Sequence, residues 1–353
     1  MRILDRYLSR AVIQGSLLAL LVLLALSGFF AFLGELADLR NDYGVARAAL
    51  FVLLSLPRQA YELFPTAVLV GSLMSLGNLA ANSELVVVRA AGVSVARVVR
   101  SVLQAGLLLV VVAAALGEVV APPAERQAQV LRSTAQLGRI ALQGDHGFWA
   151  RDGSRFVNIR SVLPGPRFED VYIYEYGEGQ RLRSFTHAAS AHYRDDGWLL
   201  ENVRRSVVGD ERVAVQLRST TEWRSVLDPE LVSVLTVEPE DLSARSLARY
   251  IGYLKRNSLE SARYRLAFWV KVIAPLSTLV MLLIAIPFVF GPLRSTGGGS
   301  RLLVGMLIGL VFYLLNQALN HVGLVYGLAP LISAVLPSVL FVIGGVLAIR
   351  RVA

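Results

Sequence analysis

The sequence predicts a membrane-embedded α-helical bundle of six transmembrane helices, with an all-β, jelly-roll-like domain inserted between the third and the fourth. Three observations predict it. Only 17% of the 353 residues are charged and 55% are hydrophobic, whereas a soluble globular chain carries about a quarter charged residues. Six stretches reach the roughly 20 mostly apolar residues that a helix needs to cross a bilayer. Between the third and fourth stretch, short alternating segments bounded by turn residues replace the long apolar runs.

The spans are Ala11–Leu33, Ala48–Ala80, Val102–Ala121, Ala267–Phe290, Leu302–Asn320 and Leu328–Ile349. The first is too long, and too poor at a small-residue cleavage site, for a removable signal peptide. Residues 1–121 hold helices one to three, 122–264 the inserted domain with flanking helical segments, and 265–353 helices four to six. The basic residues set the orientation. The N-terminus (Arg2, Arg6, Arg10), the loop after helix two (Arg89, Arg97, Arg100), the loop after helix four (Arg294, Arg301) and the C-terminus (Arg350, Arg351) carry ten basic residues against the acidic Asp5 and Glu84. Both termini are therefore expected inside and the inserted domain outside. Residues 122–264 hold twenty basic and nineteen acidic residues. The net charge of +9 is thus a topology signal and excludes a nucleic-acid footprint.

Within the insertion, Pro122-Pro123 opens a polar helical stretch, Pro123–Leu142. Phe148-Trp149-Ala150 and Phe156–Ile159 flank Arg151-Asp152-Gly153-Ser154, a hairpin-turn pattern. Val171–Tyr176 and Trp198-Leu199-Leu200, the latter after the turn Asp196-Gly197, read as strands. In Arg212–Arg218, Val213, Val215 and Leu217 are expected on one face and the polar residues on the other. Leu242–Arg263 turns helical again. Strands at this spacing suggest a sandwich or jelly-roll-like domain of about 90 residues.

No enzyme signature is present. His146, His187, His192 and His321 do not cluster at metal-ligand spacing, so no metal site is expected. There is no cysteine, no nucleophile elbow and no phosphate-cradling Gly-rich loop, so no catalytic residue, cofactor or ATP site is expected. Residues 82–92 instead form a short apolar helix between two spans. Asn82 or Ser83 suits its N-cap, Glu84 its first turn and Gly92 its close. Such a helix serves equally well lying on the membrane surface or docked in a protein groove. Arg58 and Glu62, four apart, share a face and can pair. Charge at membrane depth costs roughly 2.5–3.5 kcal/mol per residue and marks a functional position, unless both groups snorkel at the helix end. Gly305 and Gly309 form a small-residue pair for helix packing. Asn316, Gln317, Asn320 and His321 give the fifth span a polar end.

Several of these segments, in order, resemble the lipopolysaccharide export permease family. They are SELVVVRAAGVS (Ser83–Ser94), LLSLPRQAYELFP (Leu53–Pro65), GEVVAP (Gly117–Pro122), GFWARDG (Gly147–Gly153) and FGPLRS (Phe290–Ser295). LDRY (Leu4–Tyr7) and FGPLRS make the chain more similar to the LptG branch than to the paralogous LptF branch. The resemblance implies a non-enzymatic permease subunit of the bacterial inner membrane, with its β domain in the periplasm. The implied partners are an LptF-like permease, an LptB-like ATPase dimer, an LptC-like single-span protein, lipopolysaccharide and membrane lipids. The LptF-type role, or a non-transporting scaffold, is the alternative. Ser83, Glu84, Leu85, Val88, Arg89 and Gly92 match the family's ATPase coupling helix. Arg58 and Arg301 match basic family positions. With Glu62, Arg40, Arg47 and Phe312 they are the expected lipopolysaccharide contacts. A basic residue found in helix one of some relatives is Ala31 here.

Overall fold

A computed structural model describes the chain except residues 1, 38, 40–42, 138–147, 153, 164–166, 178–180, 195–196, 210–211, 224–237, 258, 291–296 and 353. Arg40, Arg294 and the turn residues Gly153 and Asp196 therefore lie outside the described residues. All six expected spans are helices, with ends that differ from the apolar stretches by a few residues. They are α1 (Arg2–Ala37), α2 (Val45–Ala81), α4 (Val95–Ala115), α7 (Ala262–Phe290), α8 (Gly298–Val325) and α9 (Pro330–Val352). The short helix α3 (Glu84–Ala90) joins α2 to α4.

α2 is the spine. It packs against α1, α7 and α8 and buries a nearly continuous run from Phe64 to Leu73. Backbone contact requires small residues where helices touch, because lipid tails supply no net hydrophobic drive between helices. Gly15 of α1 and Gly71 of α2 meet backbone to backbone, and a Cβ added at Gly15 would lie 2.6 Å from the Gly71 carbonyl oxygen. The pair Gly305 and Gly309 does pack α8 on α2: a Cβ at Gly309 would lie 2.6 Å from Thr66, and one at Gly305 3.0 Å from Leu73. Pro57 and Pro65 sit inside α2, Pro275 and Pro287 inside α7. Membrane helices tolerate such prolines because neighbouring groups re-satisfy the freed carbonyls.

The third span differs from its expected end at Pro122-Pro123. The chain does not stop there. A π turn, Leu116–Val120, carries α4 straight into α5 (Ala121–Leu137). Pro122 and Pro123 follow directly on the π turn, where the widened turn already interrupts the regular hydrogen-bond ladder.

Six strands follow: β1 (Phe148–Asp152), β2 (Arg155–Leu163), β3 (Arg167–Tyr176), β4 (Leu182–Arg194), β5 (Gly197–Val208) and β6 (Val213–Trp223). Asp152 pairs with Arg155, so the first hairpin closes on the expected turn. Among the described strands the expected jelly-roll-like domain takes the form of one antiparallel meander, in the order β1 to β6. Helix α6 (Ala244–Arg256) covers it. Its Leu247, Tyr250, Tyr253 and Leu254 join Val157, Ile159, Phe168, Trp198 and Leu200 in one core. Phe168 and Trp198 stack with centroids 4.0 Å apart. That core continues into Ala267 of α7 and, at its edge, Val130 of α5. The alternation expected in β6 does not become a buried face. Val213, Val215 and Leu217 are all more than half exposed, because β6 is an edge strand and only its Trp223 end reaches the shared core.

The Gly15–Gly71 contact generates a direct expectation. Gly71→Leu forces the α1 and α2 backbones apart, an overpacking cost of about 1–3 kcal/mol. Thermal unfolding of the purified protein is expected to shift down by several degrees. Gly344→Leu, where nothing lies within 4 Å of the added Cβ, is expected to leave it in place.

Candidate functional site

At the β-domain end of the bundle, charged side chains from five segments converge. Arg58, near the first proline of α2, is the hub. Its guanidinium reaches Glu62 one turn on at 3.1 Å, Glu125 of α5 at 3.8 Å and Asp241 at 2.5 Å. Asp241 ends a 3₁₀ turn, Pro239–Asp241, that precedes α6. Glu125 and Asp241 are buried. Glu125 also accepts a hydrogen bond from Gln129 at 2.7 Å. The expected Arg58–Glu62 pair is therefore present, within a larger network.

Glu118, in the π turn, sits beside it. Its carboxylate accepts hydrogen bonds from the backbone N–H groups of Ala244, 2.7 Å, and Arg245, 3.1 Å. These are orphan donors of the first turn of α6, and the helix dipole adds to the attraction. Ser243 supplies the conventional cap by accepting from the Ser246 N–H at 3.1 Å. Tyr61 of α2 lies flat against Gly117, leaving no room for a Cβ there. Its hydroxyl donates to the Lys271 carbonyl of α7 at 2.9 Å, and the Lys271 ammonium lies 5.0 Å from its ring centroid. Burial, reinforced by Glu125, Glu62 and Glu238, pushes the Asp241 carboxyl up to about 7 against the pull of Arg58. Glu118 is the one charged residue in the third apolar stretch, Val102–Ala121. Glu125 and Asp241 carry no local signature, since only the fold buries them against Arg58.

At the opposite end lies the short helix α3. Leu85 is buried in the bundle core and Val88 packs against it, while Val86, Val87 and Arg89 face outward. Gly92 closes the segment at φ +86, a conformation that disfavours any side chain. The N-terminal expectation needs correction. Ser83 occupies the cap position in the left-handed region and makes no side-chain cap bond. Glu84 is instead held from outside the helix, accepting a hydrogen bond from the Tyr7 hydroxyl at 2.8 Å. Asp5 accepts from the Ser101 hydroxyl at 2.5 Å, so the LDRY segment touches both sides of the α3 loop.

Arg301 is buried near this same end. It donates to the Asn78 side chain at 3.0 Å and lies against Gly77, where a Cβ would meet its Cδ at 2.6 Å. Phe312 is buried edge-on to Phe341 of α9, centroids 5.0 Å apart. Arg47 is exposed at the β-domain end of α2. The structure does not bring Arg58, Arg301 and Phe312 together. α1 exposes Leu17, Leu18, Leu21, Leu26, Phe29 and Phe30, and α8 exposes Leu303, Leu307, Leu310 and Leu314. Apolar faces of this size mark contact with lipid or with another protein.

Six helices long and apolar enough to cross a membrane, joined to a β domain through a charged cluster, define a multi-pass membrane protein. The family model for "Lipopolysaccharide export system permease LptF/LptG" matches residues 6–351, and the chain belongs to that family. It is 36% identical over 343 residues to the lipopolysaccharide export system permease protein LptG of Escherichia coli K12, covering 96% of this chain and 95% of the relative. LptG of Haemophilus influenzae is 33% identical, covering 96% of each. LptF of Escherichia coli K12 is 25% identical, covering 91% of this chain and 87% of the relative.

Asp241 makes stability depend on pH. Its folded-state value lies above the ordinary 3.8, so between about pH 4 and 7 the folded protein binds more protons than the unfolded one. The resulting stability is present at low pH and lost as pH rises toward 7. The melting temperature is expected to fall by a few degrees between pH 5 and 8, and Asp241→Asn to flatten that slope.

Proposed function

We propose that this chain is the LptG-type permease subunit of a transporter that removes lipopolysaccharide from the inner membrane toward the outer membrane. The observation that carries it is the near full-length match: 33–36% identity to LptG proteins against 25% to LptF. The chain has no ATP-binding loop in its sequence, so drive comes from a partner ATPase. The short helix α3 is the docking element. Its outward Val86, Val87 and Arg89 offer an apolar face with one cation, while Leu85 and Val88 anchor it to the bundle. Ser83 and Glu84 shape its entry and Gly92 its exit.

In this reading both termini and α3 are cytoplasmic and the β domain is periplasmic, as the basic loops favour. The exposed apolar faces of α1 and α8 meet an LptF-type permease and enclose the acyl chains. Arg47, in the first turn of α2, lines the outer rim for the lipid phosphates, and Arg40, seven residues earlier in the sequence, is a second candidate contact. Glu62 lies at that rim with the partly exposed Arg58. Arg301 and Phe312 are buried, and they reach lipid only when α8 moves away from α2 and α9. An LptC-type single-span protein completes the complex and receives the lipid with the β domain.

The docking assignment is tested on α3. Val87→Asp with Arg89→Glu alters outward side chains only, so the fold is expected to survive. Co-purifying ATPase is expected to drop at least ten-fold, with ATP-driven lipid release lost in parallel. Full ATPase stoichiometry and lipid release in the double variant would overturn the assignment.

A further inference from the structure

The charged cluster joins the bundle to the β domain at two independent points, and both meet the start of α6. Arg58 of α2 holds Asp241, three residues before the helix begins. Glu118, in the π turn of the third span, caps the first two N–H groups of α6. From there α6 is continuous with the sheet: Tyr253 donates its hydroxyl to the Arg151 carbonyl of β1 at 2.9 Å, and the buried face of α6 completes the sheet's core. Behind the two contacts, Tyr61 ties α2 to the π turn and to α7. A single path of short contacts thus runs from α2 and the third span into β1.

The π turn has a physical reason here. It inserts one extra residue in an otherwise unbroken helix, which shifts the following face by about 100°. Such turns mark functional positions more often than structural accidents. Here it places Glu118 toward α6 while α5 still presents the buried Glu125 toward Arg58. Carboxylate bonds to backbone N–H groups are charge-assisted and directional, so this joint fixes orientation as well as distance.

We propose that Glu118 and Arg58 are positioning residues: they lock α6, and with it the β sheet, to the second and third spans, so that movement of those spans re-aims the β domain. This rests on the transport reading only for its last clause. The joint itself is a property of the chain.

The absence of cysteine permits site-specific spin labelling. One pair of labels, Val45→Cys and Thr220→Cys, spans bundle and sheet. A second pair, Glu169→Cys and Thr220→Cys, lies within the sheet. Distances are measured in the full complex reconstituted with its partner permease and ATPase. Glu118→Gln and Arg58→Gln are each expected to widen the bundle-to-sheet distribution at least two-fold and leave the within-sheet distribution unchanged. Glu118→Gln is also expected to slow ATP-driven lipopolysaccharide transfer to an acceptor at least five-fold, with ATP turnover kept within two-fold. Glu118→Asp, which retains the charge, is expected to recover part of the loss. An unchanged bundle-to-sheet distribution overturns the proposal. So does widening of both pairs, which means the domain has loosened internally, and so does widening without slower transfer. If the unaltered complex transfers no lipopolysaccharide at all, the transport reading fails, while the distance comparison still decides the joint.

Discussion

An arginine placed more than three turns inside a membrane helix must be compensated, because an isolated charge removed from water costs more than any packing returns. Arg58 meets this requirement with carboxylates from three other places: its own helix, the extension of the third span, and the turn before α6. No one of those segments is adjacent to the others in sequence. Satisfying the one charge therefore dictates that the third span extend beyond the bilayer, that the chain return from the sheet to the same spot, and that α6 start there. The β domain is attached where it is because the arginine has to be paired.

The carboxylates outnumber the cations in this cluster. Arg58 and Lys271 face Glu62, Glu118, Glu125 and Asp241. The imbalance is absorbed in two ways. Glu118 is met by a helix N-terminus, whose partial positive charge and two N–H donors stand in for a cation. Asp241 takes a proton more readily than an ordinary aspartate. Charge-assisted contacts of this kind are directional and restrict orientation, which an equal area of apolar contact does not. The cost is that its strength depends on protonation.

Much of the fold was legible in the sequence because membrane constraints are severe. Apolar stretches of sufficient length admit no structure but a helix in lipid, and all six spans are found. The hairpin at Asp152 and the helix-packing role of Gly305 and Gly309 were likewise readable. Three things were not. Pro122-Pro123 reads locally as a helix boundary, yet prolines in the first turn after a π bulge interrupt nothing. Ser83 has the composition of an N-cap but makes no cap bond, and its neighbour Glu84 is held instead by Tyr7, 77 residues distant. The partners that Arg301 and Phe312 find, Asn78 and Phe341, have no local sign in the sequence, since only the three-dimensional packing brings them together. In the last two cases the deciding partner lies far away in sequence.

The two ends of the molecule are connected through one element. α3 has seven residues, too few to be stable alone, so its orientation is borrowed from the C-terminal end of α2 and from Tyr7 of α1. The Arg58 cluster sits toward the other end of α2. That helix has 37 residues and so spans about 55 Å, more than the roughly 40–45 Å of a bilayer with its headgroups. A displacement imposed on α3 reaches Arg58 along a covalently continuous rod, without passing through loose side-chain contacts. Pro57 and Pro65 flank Arg58, and a helix lacking ladder hydrogen bonds there bends more readily than elsewhere. Bending at the prolines would convert a push along α2 into a change of angle at the charged cluster, where α6 begins. If α3 docks a partner as proposed, the rigid length would carry motion across the membrane, and the local weakness would determine where it is turned toward the β domain.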